Sequence, residues 1–242
     1  MNLVEKVQKA KIYFGLPTYD GKVDIHYFMN MLATQRLLDK YGIQSFIHPV
    51  LRDVYIARAR NDIAADFLKS DYTHLFFIDA DMGWQPEKVL KLIARDRDVV
   101  FGGYSTKDEK NMYLFQPYRP DGNLVTEDGL VKCLSGPTGF MCIKRQALEK
   151  IRDKYPNMAY EDDNKQKWNF FHCYVRNIIG KQQWFGEDVS FCHNWVSMGG
   201  DLWCEPDITF QHIGTKTWEC NYNTDLTRHK EVQDAHQIAH TG

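Results

Sequence analysis

HLFFIDADMGW, residues 74–84, is the stretch of the chain that decides the fold. Its first half is an apolar run, typical of a strand that is covered on both faces in a parallel sheet. The run ends directly in Asp79-Ala80-Asp81, and open α/β sheets bind ligands beyond the carboxyl ends of their strands. Mg²⁺ and Mn²⁺ take oxygen ligands and are often shared between carboxylates and phosphates. The stretch therefore predicts a divalent-cation site at the sheet edge. The alternative is a solvated turn that caps the next helix.

The first half of the chain alternates short apolar runs with amphipathic ones, which indicates a parallel α/β sheet. Strands are predicted over 11–16, 44–50, 74–78 and 98–102, and helices over 24–41, over 55–68 and from Pro86 onward. Core-facing positions are expected at Ile25, Phe28, Met29 and Leu32 on the first helix and at Ile56, Ile63, Ala64 and Phe67 on the second.

The second half is less regular. Residues 104–132 contain turn signals, and a helix is predicted over 141–151. Residues 153–183 are polar and aromatic, which we interpret as a mobile lid. A helix over 187–198 and strands near 202–204 and 208–211 follow. We expect one domain over 1–214, with a tail over 215–242 that packs on or near the active site.

The composition is that of a globular protein, with 43% hydrophobic and 26% charged residues. A length of 242 residues suits one large α/β domain. The net charge of −2 provides no broad basic field, so the composition disfavours nucleic-acid binding without excluding it.

Three features predict a cytoplasmic protein. The six cysteines form no C-x-x-C pair, and we interpret them as free thiols in a reducing compartment. The charged N-terminal stretch MNLVEKVQKAK lacks the apolar core of a signal peptide. No apolar run reaches the roughly 18 residues of a membrane span. We therefore expect no transmembrane segment.

Three blocks, in this order along the chain, resemble the GT-A fold of nucleotide-sugar-dependent glycosyltransferases of the DxD type. They are LFFIDADMGWQPEKVLKLI (75–93), SGPTGFMCIKRQALEKI (135–151) and WFGEDVSFCHNWVSMGGDLWCEPDITFQHIG (184–214). The stretch from GLPTYDG (15–21) to RARN (58–61) resembles glycosyltransferase-like proteins of phages and large DNA viruses. The resemblance implies an α/β fold with a mixed, mainly parallel central sheet flanked by helices. It also implies a smaller distal subdomain on the acceptor side and, for a viral chain, location in the host cytoplasm.

The resemblance implies a metal site that holds Mn²⁺ or Mg²⁺. Asp81 would be the direct ligand, and Asp79 would contact the ribose or support the metal. His212 would be the third ligand, and a neutral imidazole suits Mn²⁺ better than Mg²⁺. A structural role is the alternative for a single histidine on a strand.

The resemblance also places a catalytic acid pair in Gly186-Glu187-Asp188. Asp188 would be the general base that takes the proton of an acceptor hydroxyl. Attack from the side opposite the leaving nucleoside diphosphate would invert the anomeric carbon. Alternatively, Glu187 and Asp188 complement the dipole of the helix that begins there, and both roles can coexist.

Nucleotide binding is expected at the loop after the first strand. Pro17, Thr18 and Tyr19 are placed to contact base and ribose, together with Asp79 and Ala80 at the edge of the third strand.

Basic and amide side chains are further candidates for the nucleotide. Arg58 and Asn61 are spaced i, i+3 on one helix face, and Arg58 is expected to reach the diphosphate or the base. Solvated helix charges are the alternative for Arg58 and Arg60. Lys107 and Lys216 are additional phosphate candidates.

Sugar contacts are expected from a glycine-rich loop and two tryptophans. Gly136, Thr138 and Gly139 would let the backbone approach the donor sugar. Trp84 and Trp184 would each offer a ring face, and core packing is the alternative for both.

These observations predict a metal-dependent glycosyltransferase that moves a sugar, from UDP-sugar as the expected donor, to a hydroxyl of a glycan. Two alternatives stay open: transfer to a modified base in DNA, and a non-catalytic module that binds a nucleotide sugar or glycan. A sugar nucleotidyltransferase is disfavoured, because the first loop, LPTYDGK, lacks the glycine-rich basic pattern of that class.

Overall fold

The computed structural model describes residues 7–109, 112–178, 180–214 and 216–227. Its longer helices are α1 (Ile25–Lys40), α2 (Ile56–Lys69), α3 (Glu87–Ala94), α4 (Arg145–Lys154) and α5 (Glu187–Ser197). The strands are β1 (Ile12–Thr18), β2 (Ser45–Leu51), β3 (His74–Ile78), β4 (Met82–Gly83), β5 (Val99–Gly102), β6 (Gln116–Pro117), β7 (Thr126–Glu127), β8 (Leu130–Ser135), β9 (Phe140–Lys144), β10 (Ala159–Asp162), β11 (Lys165–Trp168), β12 (Tyr174–Ile178), β13 (Lys181–Phe185), β14 (Leu202–Glu205), β15 (Phe210–Ile213) and β16 (Thr217–Cys220).

The described strands build a central mixed sheet in the order β2-β1-β3-β9-β5-β14-β8-β6, with β7 paired to β8. Strands β2, β1 and β3 are parallel neighbours, and so are β5 and β14. Strand β9 runs antiparallel to both β3 and β5. Strands β2, β1, β3, β5 and β14 therefore all point the same way, opposite to β9. The α/β class with a mixed, mainly parallel sheet flanked by helices is therefore confirmed.

Both faces of the sheet are covered, as the apolar run of β3 predicts. One cluster of buried side chains includes Phe14, Phe76 and Phe140 and lies under α1 and α3. The other includes Phe77 and Phe191 and lies under α2, α4 and α5. Because alternate residues of β3 enter opposite clusters, the strand is held firmly and its carboxyl end is fixed.

Helix α1 corrects a prediction. Ile25, Phe28, Met29 and Leu32 are 41–64% exposed, and the buried stripe consists of Tyr27, Met31, Thr34 and Leu38. The reason is Trp84: its Nε1 donates to Thr34 Oγ1 at 3.1 Å, and its ring packs edge-on against Tyr27. The expected N-cap is present, since the Asp24 side chain accepts from the N–H of His26.

Helix α2 follows the prediction at Ile63, Ala64 and Phe67, which are buried, but Ile56 is largely exposed. Two polar residues, Arg60 and Asn61, are buried as well. No feature of the sequence predicted charge on the inner face of this helix.

One prediction in the second half is wrong in type. Residues 140–144 form the buried central strand β9, and the helix begins only at Arg145. A short apolar run is ambiguous between strand and helix, which explains the error. The segment interpreted as a mobile lid contains two antiparallel hairpins, β10–β11 and β12–β13.

The end of the described chain joins a three-stranded sheet in which β15 lies between β4 and β16. Tyr222 then packs its ring against Tyr113 and Phe115. Most of the predicted tail, residues 228–242, lies outside the described residues. No described helix is both long and apolar enough to cross a bilayer.

Candidate active site

The candidate site forms where β3 ends. The backbone N–H of Asp79 donates to the carbonyl of Gly139 at 3.1 Å, and the N–H of Ile213 donates to the carbonyl of Asp81 at 2.9 Å. In the same ladder, His212 lies opposite Met82. The short β4–β15 pairing therefore brings His212, which is distant in sequence, to the Asp79–Asp81 segment.

His212 is oriented in the way that metal-binding histidines usually are. Its Nδ1 lies 2.8 Å from the carbonyl oxygen of Ser105. Since a carbonyl only accepts, Nδ1 carries the proton, and Nε2 of the neutral ring keeps its lone pair. Burial lowers the pKa of His212, which favours this neutral form.

A buried arginine that the sequence analysis did not select lies at the centre of the site. Arg60 is 2% exposed and donates from Nη2 to Asp79 Oδ1 at 3.1 Å. Its Nε lies 3.7 Å from Glu187 Oε1. Nε and Nη1 are buried and have no hydrogen-bond partner among the described residues. The only signal for Arg60 in the sequence was its place on α2, which does not separate a buried arginine from a solvated one.

The acid pair at the start of α5 joins the same charge cluster. Asp188 Oδ1 accepts from the N–H of Val189 at 2.7 Å, while Glu187 faces Arg60. A Cβ built on Gly186 would lie 3.2 Å from Asp188 Oδ1 and 3.6 Å from Cζ3 of Trp184. Trp184 is 69% exposed. An open indole therefore stands beside the candidate base.

Two carboxyl groups in this cluster have raised pKa values. Burial raises the pKa of Asp79, and Asp81 and Glu187 add to the effect, whereas Arg60 and His212 oppose it. Burial also raises the pKa of Asp188; the charge of Glu187 adds to this, and Arg60 opposes it. Perturbed carboxyl groups gathered in a cleft are typical of functional sites.

The loop before β9 forms the floor beside Asp79. A Cβ on Gly139 would lie 2.7 Å from Asp79 Oδ2 and even closer to the hydroxyl of Tyr104. That hydroxyl accepts from the N–H of Gly139 at 3.0 Å. Gly136 abuts the ring of Phe101 instead, and Thr138 is buried. Of the two predicted sugar-contact glycines in this loop, Gly139 is therefore the one that borders Asp79.

A cleft of about 470 Å³ opens in front of the aspartates. It brings together the predicted nucleotide-binding residues Pro17, Thr18, Tyr19 and Ala80 with Asp79 and Asp81. Ile56, from the first turn of α2, and Gly214 also line it. Pro17, Thr18 and Tyr19 thus border the predicted cation site, although Pro17 and Thr18 are the last two residues of β1 and not part of a loop after it.

The structure places three of the predicted contact residues outside the lining of this cleft, with other partners for their side chains. Arg58 is bound by Asp53 through two hydrogen bonds of 2.8 and 2.9 Å and lines a different groove. The Asn61 amide bonds Asn169 and both backbone groups of Phe171 at 2.8–3.0 Å. Trp84 is buried against α1 and offers no face to a sugar.

The two lysine candidates also have acidic partners. The ammonium of Lys107 pairs with Asp81, within the candidate site. Lys216 pairs with Glu109 at 2.5 Å and lies over the Trp218 ring. Of the two lysines, Lys107 is therefore the one whose ion pair would change if a ligand bound to Asp81.

The donor set of Asp79, Asp81 and His212 has the chemistry that Mn²⁺ prefers, with two carboxylates and one imidazole. As placed, however, the described residues contain no group of three His, Cys, Asp or Glu side chains that could hold a metal ion. Arg60 engages Asp79 and Lys107 engages Asp81. The metal site stays a prediction.

Comparison with known proteins identifies no relative by sequence: no family model matches, and no curated protein matches either. Among solved structures, the chain resembles GalNAc-T7 with UDP, GalNAc and Mn²⁺, with a TM-score of 0.43 and 13% identity, over 85% of this chain and 44% of that one. It also resembles a glycosyltransferase involved in glycosylation of the major capsid of PBCV-1, with a TM-score of 0.33 and 16% identity, over 61% of this chain and 66% of that one. This chain thus covers less than two thirds of either structure's length. Likeness at this level assigns neither family nor activity.

Proposed function

We propose that this protein is a GT-A type glycosyltransferase. It would use Mn²⁺ or Mg²⁺ to move a sugar from a nucleotide diphosphate donor, UDP-sugar as the first choice, to a hydroxyl of a glycan. One observation carries the proposal: Asp79 and Asp81 follow a buried parallel strand directly and line a cleft at the carboxyl edge of the sheet. Nucleotides bind at this edge in open α/β sheets.

The cleft supports donor binding. Tyr19 is exposed at its rim, where its ring can stack on a base, and Asp79 and Ala80 lie where the ribose would enter. Asp81 and His212 would hold the cation, which, when bound, stabilises the charge of the leaving diphosphate.

The acid pair supports transfer to a hydroxyl. Asp188 lies beside the exposed Trp184, and its raised pKa makes its carboxylate a stronger base than an ordinary aspartate. A base that takes the hydroxyl proton during attack typically accelerates such a reaction by 10²–10⁴-fold, as an order of magnitude. Attack assisted by Asp188 opposite the leaving group would invert the anomeric carbon.

One observation favours a second candidate, a non-catalytic module that binds a nucleotide sugar. Basic side chains engage both aspartates: Arg60 contacts Asp79 and Lys107 contacts Asp81. A module whose aspartates stay paired with these basic side chains would bind its ligand without a cation and would not turn it over. A test of turnover therefore separates the two candidates.

The test is a panel of UDP-, GDP- and dTDP-sugars with Mn²⁺ or with EDTA, scored by release of nucleoside diphosphate into water. We expect release from one nucleotide class, dependent on Mn²⁺ and lost in Asp81→Asn. Asp20→Asn is the matched control, because Asp20 is an exposed aspartate that lines the same cleft. Binding without release, unaffected by EDTA, would support the non-catalytic candidate.

A further inference from the structure

A second, larger groove of about 700 Å³ lies between α2 and the β10–β11 hairpin. Tyr55, Arg58, Tyr160, Asn169, His172 and Cys173 are on its walls. It lies on the other side of α2 from the donor cleft, because Ile56 lines the cleft whereas Tyr55 and Ala57 line the groove. The first turn of α2 therefore separates two sites.

The groove ends beside the acid pair. Cys173, at this end, directly precedes Tyr174, which pairs with Phe185 in the β12–β13 hairpin, so Cys173 lies beside Gly186 at the start of α5. Burial raises the pKa of Cys173, and the charges of Glu187 and Asp188 add to the effect. Asn61, on the groove wall, directly follows Arg60, the residue that reaches Asp79 and Glu187. A molecule in the groove would thus reach the candidate base from the side away from the nucleotide.

The walls suit a polar ligand without charge. Asp53 neutralises the guanidinium of Arg58, which in turn lies over the Tyr55 ring, 5.4 Å from its centroid. The charges near Tyr160 are paired as well, since Lys167 bonds Asp62 at 2.6 Å. A carboxylated or phosphorylated ligand requires an uncommitted cation, and these cations are committed.

The aromatic rings and amide groups on the walls of the groove are therefore the groups available to recognise a ligand. Tyr55 and Tyr160 present rings with polar ends, which bind the apolar faces of sugar rings. Asn169 accepts from Asn61 through its oxygen, so its NH₂ group is left to donate to a ligand hydroxyl. The volume falls within the range of about 300–1,000 Å³ for small-molecule sites.

We propose that this groove binds the acceptor as a neutral saccharide, with the reacting hydroxyl at the Cys173 end beside Asp188. The proposal rests on the proposed function. In the transfer step the hydroxyl oxygen bonds to the anomeric carbon of the donor, while the bond from that carbon to the diphosphate oxygen breaks. Its electron pair leaves with the nucleoside diphosphate, and the hydroxyl proton goes to the Asp188 carboxylate.

The experiment compares Tyr55→Ala and Tyr160→Ala with the wild-type protein. Tyr55 is 64% exposed, so its truncation removes little buried surface and leaves the fold intact. Tyr41→Ala is the control, since Tyr41 is an exposed tyrosine outside the groove. The probes are methyl glucoside, lactose and maltose as neutral saccharides, with glucuronic acid and a short DNA oligonucleotide as charged counterparts.

Two readouts keep the two proposals apart. The first is nucleoside diphosphate release without saccharide, which tests the donor site, and its stimulation by each probe. We expect unchanged basal release in the groove variants, and a rise of about tenfold in the saccharide concentration that gives half-maximal stimulation, as loss of one ring contact predicts. Absence of release in the wild-type protein would contradict the proposed function.

The second readout does not depend on turnover. Saturation-transfer NMR should detect at least one neutral saccharide on the wild-type protein and on Tyr41→Ala, with a loss of signal in both groove variants. Equal signals in all four proteins, no signal from any saccharide, or a preference for glucuronic acid or DNA would each overturn the assignment of the groove.

Discussion

Arg60, which is buried, and Asp79, which is partly buried, form an ion pair at the carboxyl edge of the sheet, in which Nη2 lies 3.1 Å from Oδ1. The same guanidinium lies 3.7 Å from Glu187, so one cation serves carboxylates from two other elements. Burying several carboxylates together is costly unless a cation accompanies them. Arg60 therefore links α2, the end of β3 and the start of α5.

Replacing Arg60 by Met should leave the partly buried carboxylates of Asp79 and Glu187 without their shared cation. We expect the free energy of unfolding to fall by about 3–5 kcal/mol, as it does when one partner of a buried pair is removed. Urea denaturation measures this. Lys69→Met, at the end of the same helix, removes one partner of an exposed ion pair with Asp66 and should change stability little. Equal losses in both variants would contradict the role assigned to Arg60.

Replacing Lys107 by Met should strengthen Mn²⁺ binding, because the ammonium competes with the cation for Asp81. The pair is partly exposed, so the gain should be roughly two- to fivefold in the Mn²⁺ concentration that half-saturates UDP binding. Titration calorimetry measures it. Lys216→Met is the control, since Lys216 pairs with Glu109. Weaker binding of UDP with Mn²⁺ would mean that Lys107 contacts the phosphates instead.

Replacing Glu187 by Gln should change the pH dependence of transfer. Asp188 acts as a base only when ionised, and its pKa is raised by burial and by Glu187, so the rate should fall as the pH falls through this raised value. Without the neighbouring negative charge the pKa of Asp188 falls, and the acid limb of the kcat profile should move to lower pH.

The measurement is kcat against pH at saturating Mn²⁺, donor and acceptor. Glu161→Gln, an exposed glutamate on β10, is the control and should keep the wild-type profile. An acid limb that stays in place in Glu187→Gln would show that Glu187 does not act on the base.

Sequence patterns predicted the elements of the fold that are determined by residues close together in the sequence. The apolar run forms β3, and the carboxylates directly after it lie at the sheet edge, as the sequence predicted. A buried strand fixes the positions of the residues next to it. The stripe of α1 that faces the core was not predictable in this way. Trp84, which is distant in sequence, contacts Thr34 and Tyr27. The face of α1 that carries these two residues is therefore buried, and the more apolar face beside it is exposed.

The candidate site likewise contains residues that could be predicted from sequence and residues that could not. Pro17, Thr18 and Tyr19 lie in the same cleft as Asp79, because β1 and β3 are parallel and end at the same edge of the sheet. Arg60 could not be selected from sequence, since its burial depends on Asp79 and Glu187, which only the fold brings to it. Arg58 has the same residue type and lies on the same helix, yet its side chain is about half exposed and its partner is Asp53, a near neighbour in the sequence.

Replacing Gly139 by Ala tests how tightly the floor of the site is built. The new Cβ would lie 2.7 Å from Asp79 Oδ2 and closer still to the Tyr104 hydroxyl, so one of them must move. We expect a loss of about 1–3 kcal/mol in the free energy of unfolding, the usual cost of overpacking, and weaker Mn²⁺-dependent UDP binding because Asp79 is displaced. Urea denaturation and calorimetry measure the two effects.

Two further variants show whether the crowding is the cause. Gly139→Ala combined with Tyr104→Phe removes the closest atom and should recover part of the lost binding, although the phenylalanine also loses the bond to the Gly139 N–H. Gly214→Ala is the matched control: its Cβ would lie 3.1 Å from the flexible Lys107 side chain and at an ordinary contact distance of 3.8 Å from the Lys216 carbonyl oxygen, so stability should stay close to wild type. If Gly139→Ala bound UDP as well as the wild-type protein, the close packing of this loop on Asp79 would have no part in positioning the carboxylate.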